Sequence, residues 1–365
     1  MTKIESKIIN GIAIIMMLIH HLFGDAGLME SYGVSFEFWH EDVLLILSET
    51  GKICVALFVF VSAYGITKSV KNLKEENMII MIKKRYFKIM FSYWFIFLGA
   101  YILALCTGRV KQTYGDTNYN IIYNSIIDML GLSDLIGTPT LNATWWYMAY
   151  GVTLIILVPV VYYLCKRIGS IGVIIFGITI PGFMCLDKLS TFRWYMMVVV
   201  FGVVTAEINL YEKIKSIDDS FKKYTICICS CVVCILMMIL RHKIGEYWLI
   251  DAIISCTFPI IAYILEQYKM LRDTFAFLGK HSMNIFMTHT FIYYYYLRDY
   301  IYNFRKPFVI FWTVLLASII LSIIIELIKR YIRFYDMQDK FIMFVNGSGS
   351  VKNCDDKFST EKGVS

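Results

Sequence analysis

The chain alternates long apolar runs with short polar ones over most of its length. A helix rises about 1.5 Å per residue, so about 20 apolar residues cross the hydrocarbon of a bilayer. About ten runs approach that length, and each predicts a transmembrane helix. The predicted spans are 8–24, 51–67, 86–106, 145–165, 168–186, 194–210, 224–240, 247–265, 276–297 and 308–328. The pattern therefore predicts an all-α, polytopic membrane protein of about ten transmembrane helices.

Two polar segments between or after these spans need a separate prediction. Residues 107–144 form a long connection, and the stretch from Ile121 to Leu135 within it is amphipathic. That pattern is typical of an interfacial helix or of a cap over the outer face, and a plain loop is less favoured because loops are usually shorter. Residues 336–365 are polar and predict a disordered cytoplasmic tail after a membrane domain over residues 1–335.

Composition agrees with a membrane protein. Hydrophobic residues make up 58% of the chain and charged residues 17%, and the mean hydropathy is +0.62. Soluble domains carry about 25% charged residues. The formal net charge is +7, but the basic residues gather at the ends of predicted spans. We therefore expect the lipid bilayer as a partner and no nucleic acid.

The distribution of Lys and Arg predicts the orientation. Residues 68–88 contain seven basic residues, whereas residues 25–42 contain none and several acidic ones. By the positive-inside rule, the N-terminus lies in the cytoplasm, and an even number of spans returns the C-terminus there. The prediction is a multi-pass protein of the cell membrane with both termini in the cytoplasm.

Two adjacent histidines, His20 and His21, follow the apolar run Ile12 to Ile19 in the first predicted span. Ionisable side chains are unfavourable in hydrocarbon, so such a pair indicates a functional site. An imidazole can also take and return a proton near neutral pH. Neighbouring side chains on a helix point about 100° apart, so we expect one histidine to react and the other to pack. Hydrogen bonding between helices and a transport relay are the alternatives.

Several residues are predicted to lie at the same outer depth as this pair. They are candidates for binding or orienting an acceptor: Asn142, Trp145, Trp146, Asp251 and His289. The two tryptophans could stack on a sugar ring, although an interfacial aromatic belt gives the same pattern. Asp251 and Glu49 could orient a histidine or bind sugar hydroxyls.

A basic group is predicted at the inner depth. Lys84, Arg85 and Lys88 precede the apolar part of the third span, and Lys280 begins the ninth. Such a group suits a polyanionic donor in the cytosol, and the alternative is an anchor that contacts lipid phosphate. The cysteines Cys227, Cys231 and Cys234 share a helix face without His or carboxylate neighbours, so we expect packing there and no metal site.

Taken in order, these motifs resemble the membrane acyltransferase type 3 family, in its branch of polysaccharide and sugar O-acetyltransferases. The matching segments are 10–23, 52–65, 84–89 with Tyr93-Trp94, 142–147, and 277–282 with Thr288-His289. The resemblance implies transfer of an acyl group, such as acetyl, from cytosolic acyl-CoA to a hydroxyl of an envelope glycan or sugar. Acyl-CoA is then a donor substrate, and no bound cofactor is expected. The resemblance also implies that His21 is the essential histidine, with His20 as the second choice.

The chain departs from the family pattern at two positions. Asn10 replaces a basic residue that lies eleven positions before the essential histidine, and Ala63 replaces a glycine of the second helix. Asn10 cannot supply the charge that the family's arginine offers to the donor. Two further interpretations stay open, a proton-coupled transporter or flippase and a non-catalytic partner of a glycan synthesis complex. The chain shows neither internal repeats nor a pair of Gly/Pro-broken helices, which does not favour a transporter.

Overall fold

A computed structural model describes residues 1–38, 41–74, 77–183, 190–245 and 247–347 of the 365-residue chain. Within these ranges the backbone is mainly helical. The helices are α1 (Lys3–Phe23), α2 (Ala26–Tyr32), α3 (Val43–Gly51), α4 (Cys54–Lys71), α5 (Met78–Cys106), α6 (Arg109–Tyr114), α7 (Asn118–Met129), α8 (Ser133–Ile136), α9 (Trp146–Phe183), α10 (Ser190–Glu207), α11 (Leu210–Lys215), α12 (Ser220–Ile244), α13 (Trp248–Glu266), α14 (Lys269–Thr290), α15 (Arg298–Tyr302), α16 (Pro307–Tyr331) and α17 (Phe334–Asn346). Two short strands, β1 (Glu37–Phe38) and β2 (Glu41–Asp42), pair antiparallel. A 3₁₀ turn covers Ala143–Trp145, and a π-helical turn covers Phe291–Tyr296.

Seven helical stretches in the described ranges are long and apolar enough to cross a membrane. They are Lys3–Phe23, Val43–Lys71, Met78–Cys106, Ala143–Thr179, Ser220–Ile244, Trp248–Glu266 and Pro307–Tyr331. The predicted all-α, multi-pass membrane protein is therefore confirmed. The predicted spans 194–210 and 276–297 coincide with α10 and with α14 and the turn after it, which fall outside these seven. The helix α14 is less apolar than the seven, because polar and charged residues occur along its whole length, from Lys269 and Arg272 to Lys280, Asn284 and His289.

The stretch Ala143–Thr179 is too long for one straight crossing. Its 37 residues would extend about 55 Å as a continuous helix, compared with about 30 Å of hydrocarbon. Gly169 interrupts it with φ 77° and ψ 169°, a conformation that glycine adopts much more readily than other residues. The break lies close to the junction of the predicted spans 145–165 and 168–186, at the second residue of the latter. Residues 184–186, at the end of the second one, lie outside the described ranges.

By their contacts, the residues form two compact units, Met1–Lys68 with Leu157–Ile323, and Ser69–Ile156 with Ile324–Ser365. In the first unit, α1 packs against α3, α13 and α14. A Cβ atom at Gly11 would overlap the carbonyl of Phe275, and one at Gly279 would overlap the carbonyl of Lys7. The missing side chains therefore allow α1 and α14 to pack closely, as small residues do between membrane helices.

The second unit contains the long connection between the third and fourth predicted spans. Residues 107–144 fold into α6, α7, α8 and the turn at Ala143–Trp145, so the plain-loop alternative is wrong. Thr117 begins α7, because its hydroxyl accepts a hydrogen bond from the Asn120 amide. The predicted amphipathic stretch thus contains a real helix.

The predicted disordered tail needs a correction at its beginning. Residues 334–346 form α17, and the proposed boundary between residues 335 and 336 falls inside this helix. Phe334, Gln338 and Ile342 recur every four residues and are buried on one face. This four-residue spacing allows one face of the helix to pack, although the composition of the tail as a whole is polar. Residues 348–365 lie outside the described ranges.

Candidate functional site

Three histidines of the first unit lie together. His20 and His21 occupy the last turn of α1, and His289 occupies the last turn of α14. The ring centroid of His21 is 5.1 Å from that of His20 and 5.2 Å from that of His289. Two residues predicted to share a depth, His21 and His289, are therefore neighbours, because α1 and α14 pack side by side.

The His20 ring is fixed by α3. Its Nδ1 lies 3.0 Å from the carbonyl oxygen of Ser48, which can only accept, so Nδ1 carries the proton. The Ser48 hydroxyl donates in turn to the carbonyl of His20, at 3.1 Å. The close approach depends on Gly51, where a Cβ atom would overlap the carbonyl of Met16 and lie 3.1 Å from Cβ of His20. His20 thus joins two helices.

The His289 ring is fixed by its own helix. Nδ1 lies 3.1 Å from the carbonyl oxygen of Ile285 and 2.9 Å from that of Phe286, so it also carries a proton. The residue is fully buried, and its ring stacks on Tyr293 at 5.9 Å. In the neutral ring Nε2 is then an acceptor, and this buried atom has no hydrogen-bond partner among the described residues.

His21 differs from both neighbours. It is half-buried, and no residue of the described ranges forms a hydrogen bond with its ring. Its ring lies beside the two neighbouring imidazoles. His21 can therefore offer its ring nitrogens to an external group, whereas His20 and His289 each use one nitrogen to hold their position.

Asp251 is held by a cation that the sequence analysis did not single out. Nε of Arg241 lies 2.7 Å from Oδ1 of Asp251, and both side chains are buried. Nη1 of Arg241 donates to the carbonyl oxygen of Glu49 at 2.6 Å. The ion pair thus anchors the end of α3, one residue from the serine that holds His20. Arg241 is thus one group that holds Asp251, and the orienting role predicted for Asp251 stays a prediction.

Asn142, Trp145 and Trp146 belong to the second unit. Oδ1 of Asn142 accepts hydrogen bonds from the Thr144 amide at 3.0 Å and from its hydroxyl at 2.8 Å, which starts the turn before α9. Trp145 is buried and packs edge-on against Tyr93 at 5.1 Å. The Trp145 ring therefore belongs to the core and offers no surface for a sugar ring to stack on. Trp146 is half-buried. A sequence pattern cannot separate these two environments, because both suit an aromatic ring at an interface.

The sequence analysis also missed Asp128, a buried carboxylate of the second unit that accepts several hydrogen bonds. Oδ2 accepts from the Tyr114 hydroxyl at 2.6 Å and from the Leu141 amide at 2.8 Å. Oδ1 accepts from the hydroxyls of Thr140 at 2.8 Å and Ser133 at 3.1 Å. Burial raises the pKa of this carboxyl, although these hydrogen bonds lower it in part. Asp128 thereby ties α6, α7 and α8 to the residues just before Asn142.

The predicted donor residues are divided between the units. Lys84, Arg85 and Lys88 lie near the N-terminal end of α5 in the second unit, whereas Lys280 is exposed on α14 in the first. Nη2 of Arg85 donates to the Ser69 hydroxyl at 2.7 Å. The Lys88 side chain is exposed and Lys84 is half-buried. The basic turn of α5 is therefore accessible in part.

Two further observations concern ligands. The described ranges contain no group of three or more His, Cys, Asp or Glu side chains that could hold a metal ion. Asn10, at the position of the family's basic residue, has a buried Oδ1 without a hydrogen-bond partner in the described part of the chain.

Comparison with known proteins gives one match. A family model described as an acyltransferase domain matches residues 7–327, which include the three histidines and the basic turn of α5. No curated protein and no solved structure matches the chain.

Proposed function

Because the chain belongs to the acyltransferase type 3 family, we propose that it is a membrane O-acyltransferase. The donor is a cytosolic acyl-CoA, with acetyl as the favoured acyl group, and the acceptor is a hydroxyl of an envelope glycan or sugar. The observation that supports this best is His21, a half-buried imidazole that forms no hydrogen bond with the described residues and whose ring lies beside two imidazoles that are held in place. The proposal places the protein in the cell membrane with cytoplasmic termini.

The proposed reaction needs a base for the acceptor hydroxyl. His21 takes the hydroxyl proton as the oxygen attacks the thioester carbonyl of the donor. The tetrahedral oxyanion then collapses, the carbon–sulfur bond breaks, and the imidazolium returns the proton to the departing thiolate. The products are the O-acyl ester and free CoA, so atoms and charge balance.

His20 and His289 support this base without reacting. His20 holds the last turn of α1 against α3 through Ser48. Nε2 of His289 is a buried acceptor on a ring 5.2 Å from that of His21. This nitrogen can accept a hydrogen bond from the N–H of the His21 imidazolium that forms during transfer. It would then orient the catalytic histidine.

The basic turn of α5 is the proposed donor site. Arg and Lys bind phosphate through charge-assisted hydrogen bonds, and Arg can do so in a bidentate manner. Lys84, Arg85 and Lys88 lie within about one turn and are proposed to bind the phosphates of CoA, with Lys280 as a further candidate. The turn that begins with Asn142, with Trp146 exposed in part, is the proposed acceptor side.

The experiment is a thiol-release assay on the purified chain in detergent, where no membrane gradient exists. We expect acetyl-CoA and a hydroxylated glycan to yield free CoA and acylated glycan in equal amounts, the second measured by mass spectrometry. The proposal fails if CoA release stays at the rate of the buffer across a panel of glycans. Gradient-driven movement of a solute in proteoliposomes without thioester cleavage would favour a transporter instead.

A further inference from the structure

The helix α17 has two different apolar surfaces. One surface is buried and consists of Phe334, Gln338 and Ile342. The other is exposed and consists of Met337, Phe341 and Phe344, with exposed fractions of 48%, 37% and 83%. The spacing i, i+4, i+7 places these three on one helical flank, which we call the exposed stripe.

The beginning of α17 is fixed at the end of a membrane span. The candidate span of α16 ends at Tyr331, and Arg333 then adopts the left-handed conformation with φ 54°, which turns the chain. Phe334 packs edge-on against Phe95 at 5.5 Å and against Phe91 at 6.1 Å. The helix therefore starts beside the span of α5 rather than far out in water.

The rest of α17 continues along α5. Phe341 packs against Phe87 at 5.0 Å and against Phe91 at 5.1 Å. Nε2 of Gln338 donates to the carbonyl oxygen of Lys88 at 3.2 Å. These contacts lie at the level of the basic turn of α5, where charged side chains meet lipid headgroups.

The acidic residues of α17 lie on the other flank. Asp336 and Asp339 are exposed there, on the side of the helix away from the exposed stripe, whereas Lys340, also exposed, lies three residues after Met337 and borders the stripe. Arg330 and Arg333, at the turn before the helix, are also exposed and suit lipid phosphate. The helix thus combines a packed face, an apolar flank, a polar flank and a basic start.

We propose that α17 is an interfacial helix whose exposed stripe inserts into the bilayer at the level of the headgroups. The occupant of the stripe is lipid, because α17 begins three residues after the candidate span of α16 ends at Tyr331 and packs on the candidate span of α5 through Phe91 and Phe95. A helix with one apolar flank and one charged flank is the form that lies along a membrane surface. This inference does not depend on the enzymatic activity.

The test is tryptophan fluorescence of the full chain in nanodiscs of phosphatidylcholine and phosphatidylglycerol. The variants are Phe344→Trp on the exposed stripe and Asp339→Trp on the polar flank. The emission of the added tryptophan is obtained by subtracting that of the parent chain, which has seven. We expect bromine atoms on the lipid chains to quench the emission of residue 344 strongly and that of residue 339 weakly, and acrylamide to do the reverse.

Two results would overturn the inference. Strong quenching of residue 344 by acrylamide would place the stripe in water. Shielding of residue 344 from both quenchers would mean that protein, such as a second copy of the chain, covers it. Both substituted side chains are exposed, so the fold should tolerate them. Met337→Trp provides an independent site on the stripe and should behave like Phe344→Trp.

Discussion

The three histidines of the candidate site are distinguished by their partners rather than by their residue type. His20 and His289 each bind a backbone carbonyl through Nδ1, which fixes the tautomer and the ring. His21 has two ring neighbours and, within the described ranges, no hydrogen bond. This difference is why the proposed mechanism uses His21 as the base and the other two histidines as its support.

The substitution His289→Phe tests the support. Phenylalanine preserves a ring beside Tyr293 and Phe286 but removes the acceptor Nε2. We expect kcat of acyl transfer to fall about tenfold, equivalent to about 1.4 kcal/mol of transition-state stabilisation, with little change in the KM for acyl-CoA. Steady-state kinetics measure both.

The matched control is His242→Gln, because His242 is exposed and pairs with the exposed Glu49. It should leave kcat unchanged. If His289→Phe turned over as fast as the parent chain, His289 would serve packing alone.

The position of a residue along a span could be predicted from the sequence, whereas the neighbours that its side chain meets could not. Counting residues placed His21 and His289 at one depth, and the packing of α1 on α14 makes them neighbours. The same counting placed Asp251 there, but it could not indicate the buried partner Arg241. Trp145 was assigned to an acceptor surface, yet its ring faces the core.

Among the helices, the segment between α5 and α9 shows how a polar connection becomes a folded cap. Asp128 accepts hydrogen bonds from Tyr114, Ser133, Thr140 and Leu141, and it holds the segment in place. Hydrogen bonds to a charged group contribute about 1.5–3 kcal/mol each. The sequence showed an amphipathic helix here, but the partners of one carboxylate are set by tertiary contacts.

The substitution Asp128→Asn should loosen this segment. An amide has one acceptor oxygen where the carboxylate has two, so its nitrogen would face donors. We expect faster hydrogen–deuterium exchange of the backbone amides in residues 114–141 and unchanged exchange in α1 and α14. Mass spectrometry of peptides measures both.

The control for this substitution is Asp116→Asn, at an exposed aspartate of the same segment. It removes one charge and should leave the exchange as it is in the parent chain. Unchanged exchange in Asp128→Asn would show that the segment is held mainly by its apolar contacts.

Two helices illustrate the limits of hydropathy as a predictor. The break at Gly169 lies two residues beyond the gap between the predicted spans 145–165 and 168–186, so the pattern located it to within two residues. The helix α17 was not predicted, because its polar flank and the glycines and serines after it resemble a disordered tail. Its buried face has the period of a helix but only a few members.

For the molecule as a whole, hydropathy indicates the membrane spans and charge indicates their orientation. The apolar helices make the chain a multi-pass membrane protein, and the bias of Lys and Arg predicts which ends face the cytosol. Membership of the family indicates that the reaction is acyl transfer. The proposed account joins the two by binding a charged donor at the basic turn of α5 and by using His21 as the base for the acceptor hydroxyl.

The most direct measurement of this account is the rate of CoA release by His21→Ala and His20→Ala, with acetyl-CoA and a glycan that the parent chain acylates. Loss of the base should lower the rate of His21→Ala by at least about 10²-fold, the usual contribution of a general base. His20→Ala should be milder, because its ring positions the helix. Both variants should elute as the parent chain does in detergent. A near-parental rate for His21→Ala would contradict the account, and a larger loss for His20→Ala would exchange the two roles.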